Sequence, residues 1–264
     1  MAFISHPLIK PDAIEKREYQ LSIAMKALDA NTMVILPTGL GKTAVSLLVA
    51  ASRLYNEGGR VLMLAPTKPL VEQHLRYFEK YLLAKNPEGS EGSDASPFVM
   101  FTGEAPPDER SADWNRASVI LATPQVIKND LIAGRYTLSD VSLLIVDECH
   151  RAVGNYAYVF LAQRYMATAD KPLILAMTAS PGGAQEKVQE VCANLAIAHV
   201  ETRTENDPDV RPYVFERELE YISIDLPSDL KAAIQTINAL IEDRLGLLAS
   251  LHFAVPTREK RSRR

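Results

Sequence analysis

Six short apolar runs, each of strand length, recur along this chain with helically spaced stretches between them, and that alternation limits the fold more than any other feature. The runs are Thr32–Leu36, Arg60–Ala65, Phe98–Thr102, Ser118–Ala122, Ser142–Asp147 and Pro172–Met177. They are nearly uninterrupted, so both faces of each strand are buried, as in a parallel sheet covered by helices on either side. The helical stretches are Glu15–Leu28, Lys42–Tyr55, Lys68–Leu83, Pro124–Ala133, Tyr156–Ala169 and Ala184–Leu195. Such β-α alternation predicts an α/β fold with a doubly wound, mostly parallel sheet. Ile197–Thr204 adds a further strand.

Two places break the rhythm. Ala84–Pro97 is rich in Gly, Ser, Pro and acid and reads as a flexible surface loop. Asn206–Pro212 reads as a boundary, followed by a strand over Phe215–Asp225 and a helix over Ser228–Leu251. That helix carries an apolar stripe through Leu230, Ile234, Ile237, Leu240, Ile241, Leu245 and Leu248. The end, Arg258–Arg264, holds five basic residues and reads as a solvated tail. With 29 basic and 33 acidic side chains, nucleic acid is not held by bulk charge, which leaves a local groove. The longest apolar stretch, Ala44–Ala51, is far short of the ~20 residues a membrane span needs. The N-terminus has no export-signal pattern. Two cysteines, Cys149 and Cys192, suit a reducing, cytoplasmic setting.

The chemistry begins at Pro37-Thr38-Gly39-Leu40-Gly41-Lys42-Thr43, between a strand and a helix. The two glycines let the loop curl its N–H groups toward a polyphosphate, and the helix N-terminus adds its dipole. Lys42 brings a point charge to the β- and γ-phosphates, and the Thr43 hydroxyl can ligate Mg²⁺. The second signal is Asp147-Glu148-Cys149-His150, just past the apolar run Val141–Val146. Residues there project into the crevice that also displays the phosphate loop. Asp147 can hold the Mg²⁺ shell and Glu148 can orient and deprotonate a water.

Together these motifs resemble the superfamily 2 helicases and translocases of the DEAD/DEAH-like kind. The strings LPTGLGKT, APTKPLVEQH, FTGE, ATPQVIKNDL, DECHRAVGNYAY and MTASPGG resemble most closely archaeal Hef and its Fanconi-anaemia M-type relatives, from about Ile9 to Asp209. The resemblance implies a RecA-like P-loop domain over residues 1–205, a helical insert or linker beginning over 206–251, and a basic tail over 252–264. It implies an ATP hydrolase of helicase type, using ATP and Mg²⁺ on forked or branched DNA in DNA repair. Arg17 and Gln20 match the adenine-reading Q motif, with Gln20 on the adenine edge and Arg17 stacked on the ring. Thr67, Lys68 and Pro69 match motif Ia, Thr102 and Gly103 the TG element, and Thr123 and Pro124 motif Ib, all of which contact the sugar-phosphate backbone in the family. Small hydroxyls, one Lys and loop N–H groups suit such contacts. Thr178 and Ser180 match motif III, and His150 bridges the nucleotide site to it.

Motifs IV to VI, with their arginine fingers, have no counterpart after Pro212. The resemblance therefore implies a second RecA-like domain supplied in trans or lost by truncation. Two other readings stay open: a truncated nucleotide- and nucleic-acid-binding module with negligible turnover, and an RNA-directed ATPase. Zinc is a poor fit to Cys149, His150, Cys192 and His199, whose spacing is wrong for ligands. Cys192 reads as core. Trp114, a single aromatic in a polar stretch, reads as surface packing.

Overall fold

The computed structural model describes residues 2–87, 96–180, 185–214 and 227–251. Seven strands, β1 (Thr32–Ile35), β2 (Arg60–Leu64), β3 (Phe98–Phe101), β4 (Val119–Ala122), β5 (Val141–Val146), β6 (Ile174–Thr178) and β7 (His199–Thr202), form one sheet in the order β3-β4-β2-β5-β6-β1-β7. Every pairing is parallel. β2, β4, β5 and β6 are buried over their whole lengths, as their unbroken apolar runs require, while the edge strands β3 and β7 are partly open.

The helices are α1 (Glu18–Asp29), α2 (Lys42–Asn56), α3 (Lys68–Tyr81), α4 (Pro107–Arg116), α5 (Pro124–Ile132), α6 (Ala157–Thr168) and α7 (Gln185–Asn194). From β1 the chain moves one way across the sheet to β2 and β3, then returns through β4, β5 and β6 to β7. Crossovers between parallel strands are right-handed, so reversing direction moves the connecting helices to the other face. Alternate strand residues record this. Val61 and Met63 pack with Tyr19, Val45 and Phe78 of α1–α3, whereas Leu62 and Leu64 pack with Trp114, Ile127 and Tyr158 of α4–α6. Three helices begin with proline in the first turn (Pro69, Pro107, Pro124), where the missing N–H has no intrahelical partner to lose.

The fold departs from the sequence reading at α4. That helix turns only Arg110 and Trp114, one turn apart, into the interior, so it shows no apolar period. Trp114 is buried, not a surface residue, with its ring stacked on Tyr136 at 3.9 Å. After β7, Arg203 donates to Asp209 at 2.9 Å and Val210 is buried in the α1–α3 core. The first compact unit accordingly runs through Val214. The second unit, Phe215–Arg264, contains α8 (Ser228–Ser250). The middle of the expected 84–97 loop, the expected strand over Phe215–Asp225, residues 181–184 and the expected basic tail lie outside the described residues. Among the described residues, no helix is long and apolar enough to cross a membrane.

Candidate nucleotide site and the edge beside it

All seven strands point the same way, so the loops after β1, β5 and β6 open on one edge. β1 ends against β6, with the Leu36 N–H donating to the Thr178 carbonyl at 3.2 Å. The loop then turns through Gly39 (φ 93°) and Gly41 (φ 78°), both in the left-handed region that favours glycine. Gly41 caps α2, and its carbonyl receives the first helical N–H groups, from Ala44 at 2.9 Å and Val45 at 3.2 Å. A Cβ at Gly41 would collide with Gln20 Nε2, so glycine is required there for space as well as for φ.

Gln20 is buried behind this loop. Its amide donates to the Leu40 carbonyl at 3.2 Å, and the Tyr19 hydroxyl donates to the same oxygen at 2.8 Å. Tyr19 and Gln20 of α1 thus tie the glycine loop to the helix through one carbonyl. Lys42 Nζ donates to the Leu36 carbonyl at 2.8 Å across the loop. Partial burial lowers the Lys42 pKa, and the carboxylates of Asp147 and Glu148 oppose that shift.

Two cavities meet here. One, of about 440 Å³, is lined by Lys42, Thr43, His74, Asp147 and Glu148 among others. The other, of about 240 Å³, is lined by Glu15, Arg17, Gln20 and Tyr81 among others. Both share Gly41, Ala44 and Tyr77, so the two spaces adjoin at the start of α2. A cavity of about 470 Å³ at the opposite edge, near Gly58, Gly59 and Ser118, is lined by no carboxylate among the described residues.

Asp147 is fixed from three sides. Its N–H donates to the Leu64 carbonyl at 2.9 Å, its carbonyl accepts from Tyr158 Oη at 2.8 Å, and its Oδ2 lies 2.9 Å from His74 Nε2. An ionised carboxylate only accepts, so His74 donates through Nε2. Sequence reasoning gave His74 no role. The available signal was a polar residue on the buried stripe Val71, His74, Phe78 of α3.

Glu148 takes φ 49°, an uncommon left-handed conformation for a non-glycine and the kind of strain that gathers at functional sites. His150 Nδ1 lies 3.2 Å from Glu148 Oε2 and 3.0 Å from Thr178 Oγ1. The Thr178 hydroxyl donates its one proton to the Ser180 carbonyl at 2.8 Å, so toward His150 it accepts, and Nδ1 carries the hydrogen. Ser180 N–H donates back to Thr178 at 3.2 Å. The expected coupling residues His150, Thr178 and Ser180 are therefore joined to Glu148 in one chain of contacts. Cys149 is buried and its thiol is pushed far up by desolvation, while Cys192 is half-buried.

The remaining predicted residues occupy the other half of the same edge. β3, β4 and β2 are adjacent and end in register at Phe101, Ala122 and Leu64. Thr102-Gly103, Thr123-Pro124 and Thr67-Lys68-Pro69 follow them. Thr67 and Thr123 are the N-caps of α3 and α5, and neither hydroxyl closes its own helix. Lys68 pairs with Glu104 at 2.5 Å. Gly103 and Pro69 are exposed, whereas Thr102 and Pro124 are buried. The loop after β3 is tied down by a cluster that sequence reading missed. Arg110 donates from Nε (2.7 Å) and Nη2 (2.6 Å) to the fully buried Asp130 and from Nη1 to the Ala105 carbonyl. Asp130 also accepts from Arg135 at 3.1 Å and Tyr136 at 3.0 Å.

The profile of the DEAD/DEAH box helicases matches residues 17–188. A putative ATP-dependent RNA helicase of Methanocaldococcus jannaschii is 45% identical over 93% of this chain and 30% of its own. A Fanconi anemia group M protein homolog of Mus musculus is 37% identical over 89% of this chain and 11% of its own. The crystal structure of the Pyrococcus furiosus Hef helicase domain superposes with a TM-score of 0.75 at 45% identity, covering 96% of this chain and 52% of that one. This chain thus spans about a third or less of the length of these two curated relatives.

Proposed function

The chain belongs to the DEAD/DEAH box helicase family, and from that premise we propose that it is the ATP-binding part of a Hef-like DNA helicase or translocase acting on forked or branched DNA. The observation that carries this reading is the pair of adjoining cavities, one walled by a phosphate loop and two carboxylates, the other by Arg17 and Gln20.

In this reading Gln20 reads the adenine edge, Arg17 stacks on the ring, and the Pro37–Thr43 loop with Lys42 holds the phosphates. Thr43 and Asp147 offer hard oxygen donors on one cavity wall and would hold Mg²⁺, which draws phosphate charge onto itself. Glu148 takes the proton of the attacking water. Charge developing at Glu148 is felt by His150, whose Nδ1–H also meets Thr178, and this carries the state of the nucleotide to motif III. The segments Thr67-Lys68-Pro69, Thr102-Gly103 and Thr123-Pro124 meet the sugar-phosphate backbone, with the buried Thr102 and Pro124 also shaping their loops. α8 begins the helical insert, and a second RecA-like domain completes the motor.

The test is ATP hydrolysis by the purified chain with forked DNA, duplex RNA or neither, beside Lys42→Ala and Glu148→Gln. Turnover stimulated by forked DNA and lost in both variants supports the proposal. Stimulation by duplex RNA alone replaces DNA with RNA as the track. ATP binding without turnover above the variants leaves a binding module that needs its second half to hydrolyse.

A further inference from the structure

We propose that Tyr213, beyond the family match and 25 residues past its end at 188, positions the base-reading side of the nucleotide site. The inference rests on the reading of Arg17 as a base-stacking residue. Arg17 Cζ lies 5.5 Å from the centre of the Tyr213 ring, within cation–π range. Arg17 lines the smaller of the two adjoining cavities and Tyr213 does not, so the ring backs the guanidinium from outside. Glu15 holds the same guanidinium along its edge, with Oε2 accepting from Nε and Nη2 at 3.2 Å each. A guanidinium held by the ring on one side and by the carboxylate on another is positioned before a base arrives, which lowers the ordering cost of binding.

Tyr213 has supports independent of Arg17. It closes a short 3-10 turn, Arg211–Tyr213, with its N–H donating to the Val210 carbonyl at 2.9 Å, and Val210 is buried in the α1–α3 core. Its ring also lies 5.7 Å from that of Tyr19, whose hydroxyl holds the Leu40 carbonyl of the phosphate loop. The segment after β7 therefore reaches both halves of the nucleotide site, through Arg17 to the base and through Tyr19 to the phosphates. A purely structural loss of Tyr213 would weaken the two halves alike. A positioning role for Arg17 would weaken only ligands that carry a base.

The experiment is calorimetric titration of the whole chain with ATP and with inorganic triphosphate, each with Mg²⁺, for wild type, Tyr213→Leu, Tyr213→Phe and Arg17→Ala. Tyr213→Leu is expected to weaken ATP roughly three- to tenfold while leaving triphosphate unchanged. Tyr213→Phe, which keeps the ring, is expected to bind both as wild type does, and Arg17→Ala to match or exceed the Leu variant's loss. Should Tyr213→Leu not fold, Tyr213→Met carries the same comparison. The inference is overturned if the ring-less variant binds ATP as wild type does while Arg17→Ala does not, or if it loses ATP and triphosphate equally. If Arg17→Ala itself leaves ATP unaffected, the base-stacking reading fails and takes this one with it.

Discussion

Gly41→Ala puts a single methyl group where the two halves of the nucleotide site meet. At φ 78° an alanine sits in the left-handed region, at about 1–2 kcal/mol. Its Cβ would also collide with Gln20 Nε2, which is not a free side-chain end: it is buried and donates to Leu40 O and Tyr19 Oη at 3.2 Å each. Displacing it forfeits two hydrogen bonds of about 0.5–1.5 kcal/mol apiece. Together these give about 2–5 kcal/mol. The loop escapes this by leaving the left-handed turn, which swings its N–H groups away from the phosphates. ATP rebinds only by restoring the strained loop, so the cost appears as affinity, roughly 30- to 4,000-fold. Titration with a fluorescent ATP analogue and Mg²⁺ measures it, with urea unfolding to confirm the fold. The double variant Gln20→Ala/Gly41→Ala removes the collision and keeps the φ strain, so the two changes are expected to be less than additive. A folded Gly41→Ala protein that binds ATP within about threefold of wild type refutes the reasoning.

Three further outcomes are expected. His74→Leu deprives Asp147 of its donor, so the Mg²⁺ concentration for half-maximal ATP binding should rise ~10-fold or more, while His74→Gln, which retains an N–H donor, should stay within ~3-fold; equal behaviour of the two contradicts the assignment. Asp130→Ala strands the buried Arg110 guanidinium and should lower stability by about 3–5 kcal/mol in urea unfolding, with a loss below about 1 kcal/mol counting against it. A bound triphosphate favours charged Lys42, whose pKa in the free protein is lowered from 10.5, chiefly by burial. ATP affinity should therefore fall as pH rises above that lowered value, and Lys42→Arg, which keeps its charge, should remove this dependence.

The buried strands were legible because each is an unbroken apolar run, and the tight turn into α2 because its glycines and Lys-Thr pair follow one of them. What escaped reading depends on contacts between residues far apart in sequence. α4 shows no period because its interior face is an arginine and a tryptophan, and the arginine is satisfied by Asp130 from another helix. His74 was visible as a polar residue on an apolar stripe, yet only the sheet order brings β2 beside β5 and α3 within reach of Asp147. Residues 206–212 look like a linker by composition because the Pro and Asp content outweighs Val210, whose burial makes the segment part of the fold.

The most direct test of a shared sheet edge is ATP and forked-DNA affinity, each measured by fluorescence anisotropy, for wild type, Lys42→Ala and Lys68→Glu. Lys42→Ala is expected to lose ATP and keep DNA, and Lys68→Glu to lose DNA, most clearly at low salt, and keep ATP. Lys42→Ala binding ATP as wild type does, or Lys68→Glu losing ATP while keeping DNA, contradicts that expectation.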